Sequence, residues 1–143
     1  MTTSKTLPEI GCACASVRRA ARLITQLYSR EMGTHIEPGQ FSLLLAIEQL
    51  PGCTQTALGR ALGFDKTTIS RNLQVLKRNG WIEPAAEPVS GHRLTATGTK
   101  ILNEAKPGWE RAQAKFRDAM TDNGWQKMLT VFNAAAQAAL KAG

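Results

Sequence analysis

The chain has 143 residues, enough for one compact domain, and its 43% hydrophobic and 20% charged content is that of a folded protein, which excludes wholesale disorder. Lys and Arg exceed Asp and Glu by 18 to 11, a formal charge of +7 that suits a polyanionic partner such as nucleic acid. No stretch reaches the roughly 20 apolar residues needed to span a bilayer, and Glu9 with the following arginines interrupts the one segment that resembles a signal h-region. A cytoplasmic protein with no membrane contact is the expectation.

Val17, Ala20, Ala21, Ile24, Leu27, Tyr28 and Met32 recur every three or four positions and predict a first amphipathic helix, ended by Gly33. Glu37-Pro38 restarts a helix with proline at its first position, and Pro51-Gly52 stops it near Leu50. Thr54 is a suitable N-cap for a short third helix whose Ala57, Leu58, Ala61 and Leu62 share one face, and Gly63 is placed to end it. Asp65 caps a fourth helix at once, so the two cannot be collinear.

After Gly80 the pattern changes to Trp81-Ile82-Glu83, a Pro- and Gly-containing stretch, then His92-Arg93-Leu94-Thr95, which predicts a small β-hairpin. From Thr97 the helical period returns through Leu102, Ala105, Trp109, Ala112, Phe116 and Met120, with Pro107 expected to bend this helix without ending it. A turn is expected at Gly124, followed by a last helix with the stripe Trp125, Met128, Leu129, Phe132, Ala136 and Leu140. The fold class is mainly α with a small β-hairpin.

Residues 54 to 95 thus read as helix, tight turn, helix and hairpin, the layout of a winged helix-turn-helix. In its second helix Ile69, Leu73 and Leu76 form the inner side, which leaves Lys66, Thr67, Ser70, Arg71, Gln74 and Arg78 facing solvent. Hydroxyls and amides bond base edges, guanidinium bonds guanine with two prongs, and lysine neutralises phosphate. No acidic residue lies between Lys66 and Ile82, so the face is ready for a polyanion.

The sequence resembles the MarR family of bacterial regulators. The likeness runs through Pro38-Gly39-Gln40-Phe41, Thr54-Gln55-Thr56-Ala57-Leu58-Gly59, Asp65-Lys66-Thr67-Thr68-Ile69-Ser70-Arg71, Leu76-Lys77-Arg78-Asn79-Gly80-Trp81-Ile82 and Leu94-Thr95-Ala96-Thr97-Gly98. It implies a homodimer interlocked through N- and C-terminal helices (residues 13–32 and 98–143), with a DNA-binding lobe over residues 38–97 that places one recognition helix in each half of an inverted-repeat operator on double-stranded DNA. Contacts implied for DNA are Thr54, Gln55, Lys66, Thr67, Thr68, Ser70, Arg71, Gln74, Arg78, His92 and Arg93. The resemblance also implies repression, and a small aromatic ligand for which Leu27, Tyr28, Phe41, Trp109 and Phe116 are the lining candidates. The hairpin departs from the family: it is shorter and lacks the Asp and Arg near the tip, leaving Ser90, Gly91, His92 and Arg93.

Cys12 and Cys14 flank Ala13 where the first helix starts, a position that can lower a thiol pKa, so they are candidates for a thiol sensor. On a helix, residues two apart point about 200° from each other, which opposes joint chelation. Cys53 is expected to be a small packing residue next to Leu58. His35 and His92 have no metal-ligand spacing, and no nucleophile motif or phosphate loop is present, so neither a metal, a cofactor nor an enzyme activity is expected. The residues alone leave two further readings of the same fold, a protein-interaction module and a sequence-blind architectural DNA binder.

Overall fold

Short side chains that satisfy the first free N–H groups set where most of the helices begin. In the computed structural model, which describes residues 6–33, 35–88 and 90–143, the order is α1 (Ala13–Met32), α2 (Pro38–Gln49), α3 (Gln55–Leu62), α4 (Lys66–Arg78), β1 (Ile82–Pro84), β2 (His92–Leu94), α5 (Ala96–Met120) and α6 (Asp122–Ala142). Thr54 accepts from the Ala57 N–H at 3.1 Å and Asp65 from Thr68 at 2.7 Å, as expected. Glu37 and Gln40 form a reciprocal capping box at the start of α2, with Pro38 at the first position.

Two boundaries differ from the sequence reading. Helix α5 begins at Ala96, because Thr95 accepts the Gly98 N–H at 3.0 Å and caps it, so the expected division at 97/98 falls inside its first turn. The break before α6 lies at Thr121, not Gly124. Thr121 reverses the chain with a positive φ of 63° and accepts the Gly124 N–H at 3.3 Å, which draws Gly124 into the first turn of α6. Pro107 lies inside α5, which continues past it to Met120.

The core belongs to the central lobe. Phe41, Leu43, Leu44 and Ile47 of α2 meet Leu58 of α3, Ile69, Leu73 and Leu76 of α4, Ile82 of β1 and Leu102 and Ala105 of α5. Helix α2 is apolar on most sides because α1, α3, α5 and β2 all pack against it. The strands form one antiparallel ladder with Ile82 opposite Leu94, Glu83 opposite Arg93 and Pro84 opposite His92. At Gly98 a Cβ would stand 1.9 Å from the Trp81 carbonyl oxygen, so only glycine lets the wing root lie against α5. Thr95 reinforces that junction by donating its hydroxyl to the Gly80 carbonyl at 2.6 Å. Thr95→Ala loses both bonds and is expected to cost about 1–2 kcal/mol, read as a lower midpoint in urea unfolding with an unchanged slope.

Helix α5 runs along α1, with Gly108 at the crossing, where a Cβ would lie 2.5 Å from the Glu31 carbonyl oxygen. Glu31 there pairs with Lys115 and, at 3.5 Å, with Arg111; the Lys115 hydrogen bond foremost holds its carboxyl below the usual carboxylate range. The α5 stripe is therefore largely covered within the chain: Leu102, Ala105 and Ala112 are buried and Trp109 is half-buried. Helix α6 is not. It buries no residue, and Leu129, Val131, Phe132 and Leu140 are all exposed. Among the described residues, no helix is long and apolar enough to cross a membrane.

Candidate nucleic-acid interface

The turn between α3 and α4 is what presents the polar face of α4. Gly63 ends α3 in the left-handed region (φ 74°), and the Phe64 N–H returns to the Gly59 carbonyl at 2.8 Å. Gly59 lies against Ile69, so α3 and α4 pack closely, with Ile69, Leu73 and Leu76 each 1% exposed in the core. These three side chains of α4 thus face inward, while Lys66, Thr67, Arg71, Gln74, Lys77 and Arg78 are exposed.

Lys66, Thr67, Ser70, Arg71 and Gln74 line one shallow depression on that outer face, five of the residues expected to meet DNA. Arg71, Gln74 and Arg78 are exposed, with Arg78 at the far end of the helix beside Lys77. Thr68 and Ser70 are half-buried, and Thr68 stands apart because its N–H goes to Asp65. Hydrogen bonds from Thr68, backbone then side chain, hold the Asp65 carboxyl below its ordinary value, with the Arg71 charge a smaller cause. Because that pKa is depressed, the stabilisation from the cap is present above the unfolded-state value and is lost as pH falls through the folded one.

Thr54 and Gln55 open α3, where the Thr54 hydroxyl oxygen is occupied as N-cap and Gln55 is half-buried. Arg60, absent from the sequence-based set, is exposed at the end of α3 and shares a depression with Lys66 at the α4 N-terminus. Its signal was available: it lies on the polar side of the helix whose other side holds Leu58 and Leu62.

The wing separates its two candidates by the period-2 alternation of a strand. Arg93 points out, whereas His92, expected beside it, turns inward with Leu94 and is half-buried. Arg93 also donates its Nε–H to Glu83 across the ladder at 2.9 Å, so its charge is already matched. Glu83→Gln should leave stability within about 1 kcal/mol, since both partners are exposed. Freed to meet a phosphate, Arg93 should steepen the salt dependence of DNA binding by about 0.9 in log–log slope per contact, measured by anisotropy titration at several salt concentrations.

The aromatic candidates divide into two groups. Phe41 and Trp109 pack with ring centroids 5.7 Å apart, and Tyr28 donates its hydroxyl to Gln113 Oε1 of α5, burial raising its pKa. Phe116 instead makes an edge-to-face contact with Trp125 of α6, centroids 5.7 Å apart, while Leu27 is half-buried on α1. Cys12 is the N-cap of α1, its Sγ accepting the Ala15 N–H at 3.4 Å, and Cys14 lies in the first turn; both thiols are free and exposed. Cys53 is half-buried against the core.

The MarR family model matches residues 36–93, which contain α2, the helix-turn-helix and both strands. No curated protein sequence matches the chain. Among solved structures, the transcriptional regulator MosR of M. tuberculosis is 33% identical, with a TM-score of 0.78 over 92% of this chain and 97% of that one. MosR in complex with DNA is 32% identical, again at 0.78, over 91% and 98%. The PcaV transcriptional regulator of Streptomyces coelicolor, in complex with its natural ligand, shares the fold at 20% identity and a TM-score of 0.78, over 93% and 99%. On its winged helix-turn-helix and its likeness to MosR along nearly the whole length of both proteins, the chain belongs to the MarR family of transcriptional regulators.

Proposed function

We propose that the chain works as a homodimer that binds an inverted-repeat operator through α4 of each subunit and represses transcription until a small molecule or thiol modification releases it. The observation that carries this reading is the outer face of α4, where Lys66, Thr67, Ser70, Arg71 and Gln74 form one surface of cations, hydroxyls and an amide with no acid among them. MosR, which shares a third of its residues with this chain, has been seen with DNA. The uncovered apolar side of α6 supplies the surface for a second subunit.

Two α4 helices held about 34 Å apart fit successive major grooves; a dimer conformation that changes this spacing does not. An effector acts only through a difference in affinity for the two conformations. Two such effectors have candidate places here. One is a small aromatic ligand between α1, α2 and α5, near Tyr28, Phe41 and Trp109. The other is modification of Cys12, which would displace the sulfur that caps α1. PcaV with its natural ligand and CouR bound to p-coumaroyl-CoA are ligand-bound proteins of the same fold. The test is a mobility-shift titration of the wild-type protein on DNA flanking its own gene, with random duplex as competitor. A competitor-resistant complex supports specific regulation, and equal binding to both DNAs contradicts it.

A further inference from the structure

The wing is attached to the lobe at its root and again at its outer end. The root is fastened by Ile82 in the core and by the hydrogen bonds of Thr95. At the outer end, a Cβ on Gly91 would come within 2.3 Å of the Cys53 carbonyl oxygen, so the hairpin lies directly on the loop between α2 and α3. Two residues of β2 turn inward. Leu94 stands opposite Ile82 and serves the root, whereas His92 stands opposite Pro84 and enters a groove beside Ile47 and Pro51.

The half-buried His92 ring is suited to this place only while it is neutral. Its Nδ1 is shut off from solvent with no hydrogen-bond partner among the described residues, whereas Nε2 is not shut off. The neutral ring can keep its proton on Nε2, where water accepts it, so a second proton has only Nδ1 to enter. There it meets no free carboxylate. Glu48 of α2 is taken by Lys106 of α5 at 3.0 Å, and Glu83 of β1 by Arg93 of β2 at 2.9 Å. Glu87, between the strands, is exposed and outside the walls of the groove. The free thiol of Cys53 is a weak acceptor, and Lys77 of α4 adds a positive charge. Burial first, and then Lys77, lowers the His92 pKa. A charged donor buried without an acceptor costs more than a neutral group in the same place.

We propose that the wing is a proton-operated latch, in which a proton on His92 Nδ1 releases the outer end of the hairpin from the lobe while the root stays in place. Above about pH 6.5, the ordinary imidazole value, the ring is neutral in both poses and the latch is closed. As pH falls through that value the released ring takes up a proton and the docked ring does not, so release gains weight until the lower, docked value is passed. At about pH 5.5 a released ring is roughly ten parts protonated to one part neutral, which sets a ceiling of about tenfold on the gain. The lowered carboxyls of Glu31 and Asp65 act below the ordinary carboxylate values, outside this window. Arg93 belongs to the same strand and leaves with it.

Amide hydrogen exchange followed by NMR on the full chain, at about pH 7.5 and about pH 5.5, reads the latch without DNA and so independently of the operator reading. The Ala85 N–H, bonded to the Gly91 carbonyl at 3.0 Å, reports the outer end, because a hairpin detached from its support is marginal in water. The Thr95 N–H, bonded to the Trp81 carbonyl at 3.0 Å, reports the root. Relative to the unfolded-chain rate at each pH, protection of Ala85 should fall by about three- to tenfold on acidification, with Thr95 unchanged. His92→Phe keeps a ring of similar shape without its nitrogens and should abolish the fall, whereas substitution of the exposed histidine, His35→Gln, should preserve it. In the wild-type chain, which needs no variant to fold, the His92 ring signals should titrate with a midpoint below about 6.5 and show the neutral proton on Nε2. The latch is overturned by unchanged protection at Ala85, by an equal fall at Thr95, or by a fall that persists in His92→Phe. A His92 midpoint at or above about 6.5, or a neutral proton on Nδ1, overturns it as well.

Discussion

Arg71→Ala is expected to lose operator binding while folding normally. The side chain is exposed in the middle of the outer face of α4, and nothing in the core depends on it, so its removal should change stability by no more than about 0.5 kcal/mol. A two-pronged arginine–guanine contact discriminates by about 1–3 kcal/mol. A symmetric dimer loses it twice, which makes the loss between about 30-fold and about 20,000-fold in affinity. Lys66→Ala provides the contrast. A lysine at the helix N-terminus is placed for phosphate, so its loss should weaken operator and random duplex alike and flatten the salt slope by about 0.9 per contact. Anisotropy titrations on both DNAs separate the two patterns, and an Arg71→Ala protein that keeps its preference for the operator would remove α4 as the reading head.

The second large effect is expected on α6. Leu129 and Phe132 lie on its apolar side and remain 45% and 42% exposed. Burying an aliphatic or aromatic side chain is worth about 1.5–3 kcal/mol. With more than half of each already covered, two side chains in two subunits supply about 3–5 kcal/mol to a dimer that covers the rest. Leu129→Asp with Phe132→Asp should raise the dimer Kd by at least roughly 10²- to 10³-fold, shift sedimentation to the monomer, and reduce operator affinity with it, because a monomer brings only one α4 to the DNA. A wild-type protein that already sediments as a monomer at micromolar concentration would count against the dimer.

Much of the lobe is legible from local chemistry. Thr54 and Asp65 announce their helices because a capping oxygen acts on N–H groups two or three residues away, and Gly63 marks a left-handed end that few other residues accept. The burial of Ile69, Leu73 and Leu76 follows from spacing alone, and with it the exposure of Lys66, Arg71 and Gln74. What escaped the sequence depends on partners far along the chain or on short elements. His92 and Arg93 are neighbours on a three-residue strand, too short for period-2 alternation to declare which one faces in. The Glu83–Arg93 pair follows from strand register, and the Phe116–Trp125 contact from the reversal at Thr121, a threonine at positive φ that the glycine three residues later had seemed better suited to provide. For α5 and α6, periodicity showed two apolar stripes but not that α1 and α2 cover the first and leave the second bare.

A dimer that sets two α4 helices into successive major grooves leaves a two-fold footprint, and hydroxyl-radical footprinting of the protein on DNA flanking its own gene tests that arrangement directly. The prediction is two protected segments related by a two-fold axis and centred about 10–10.5 base pairs apart, absent on the same DNA with Arg71→Ala. A single protected segment, or weak protection spread evenly along the duplex and unchanged in Arg71→Ala, would contradict it.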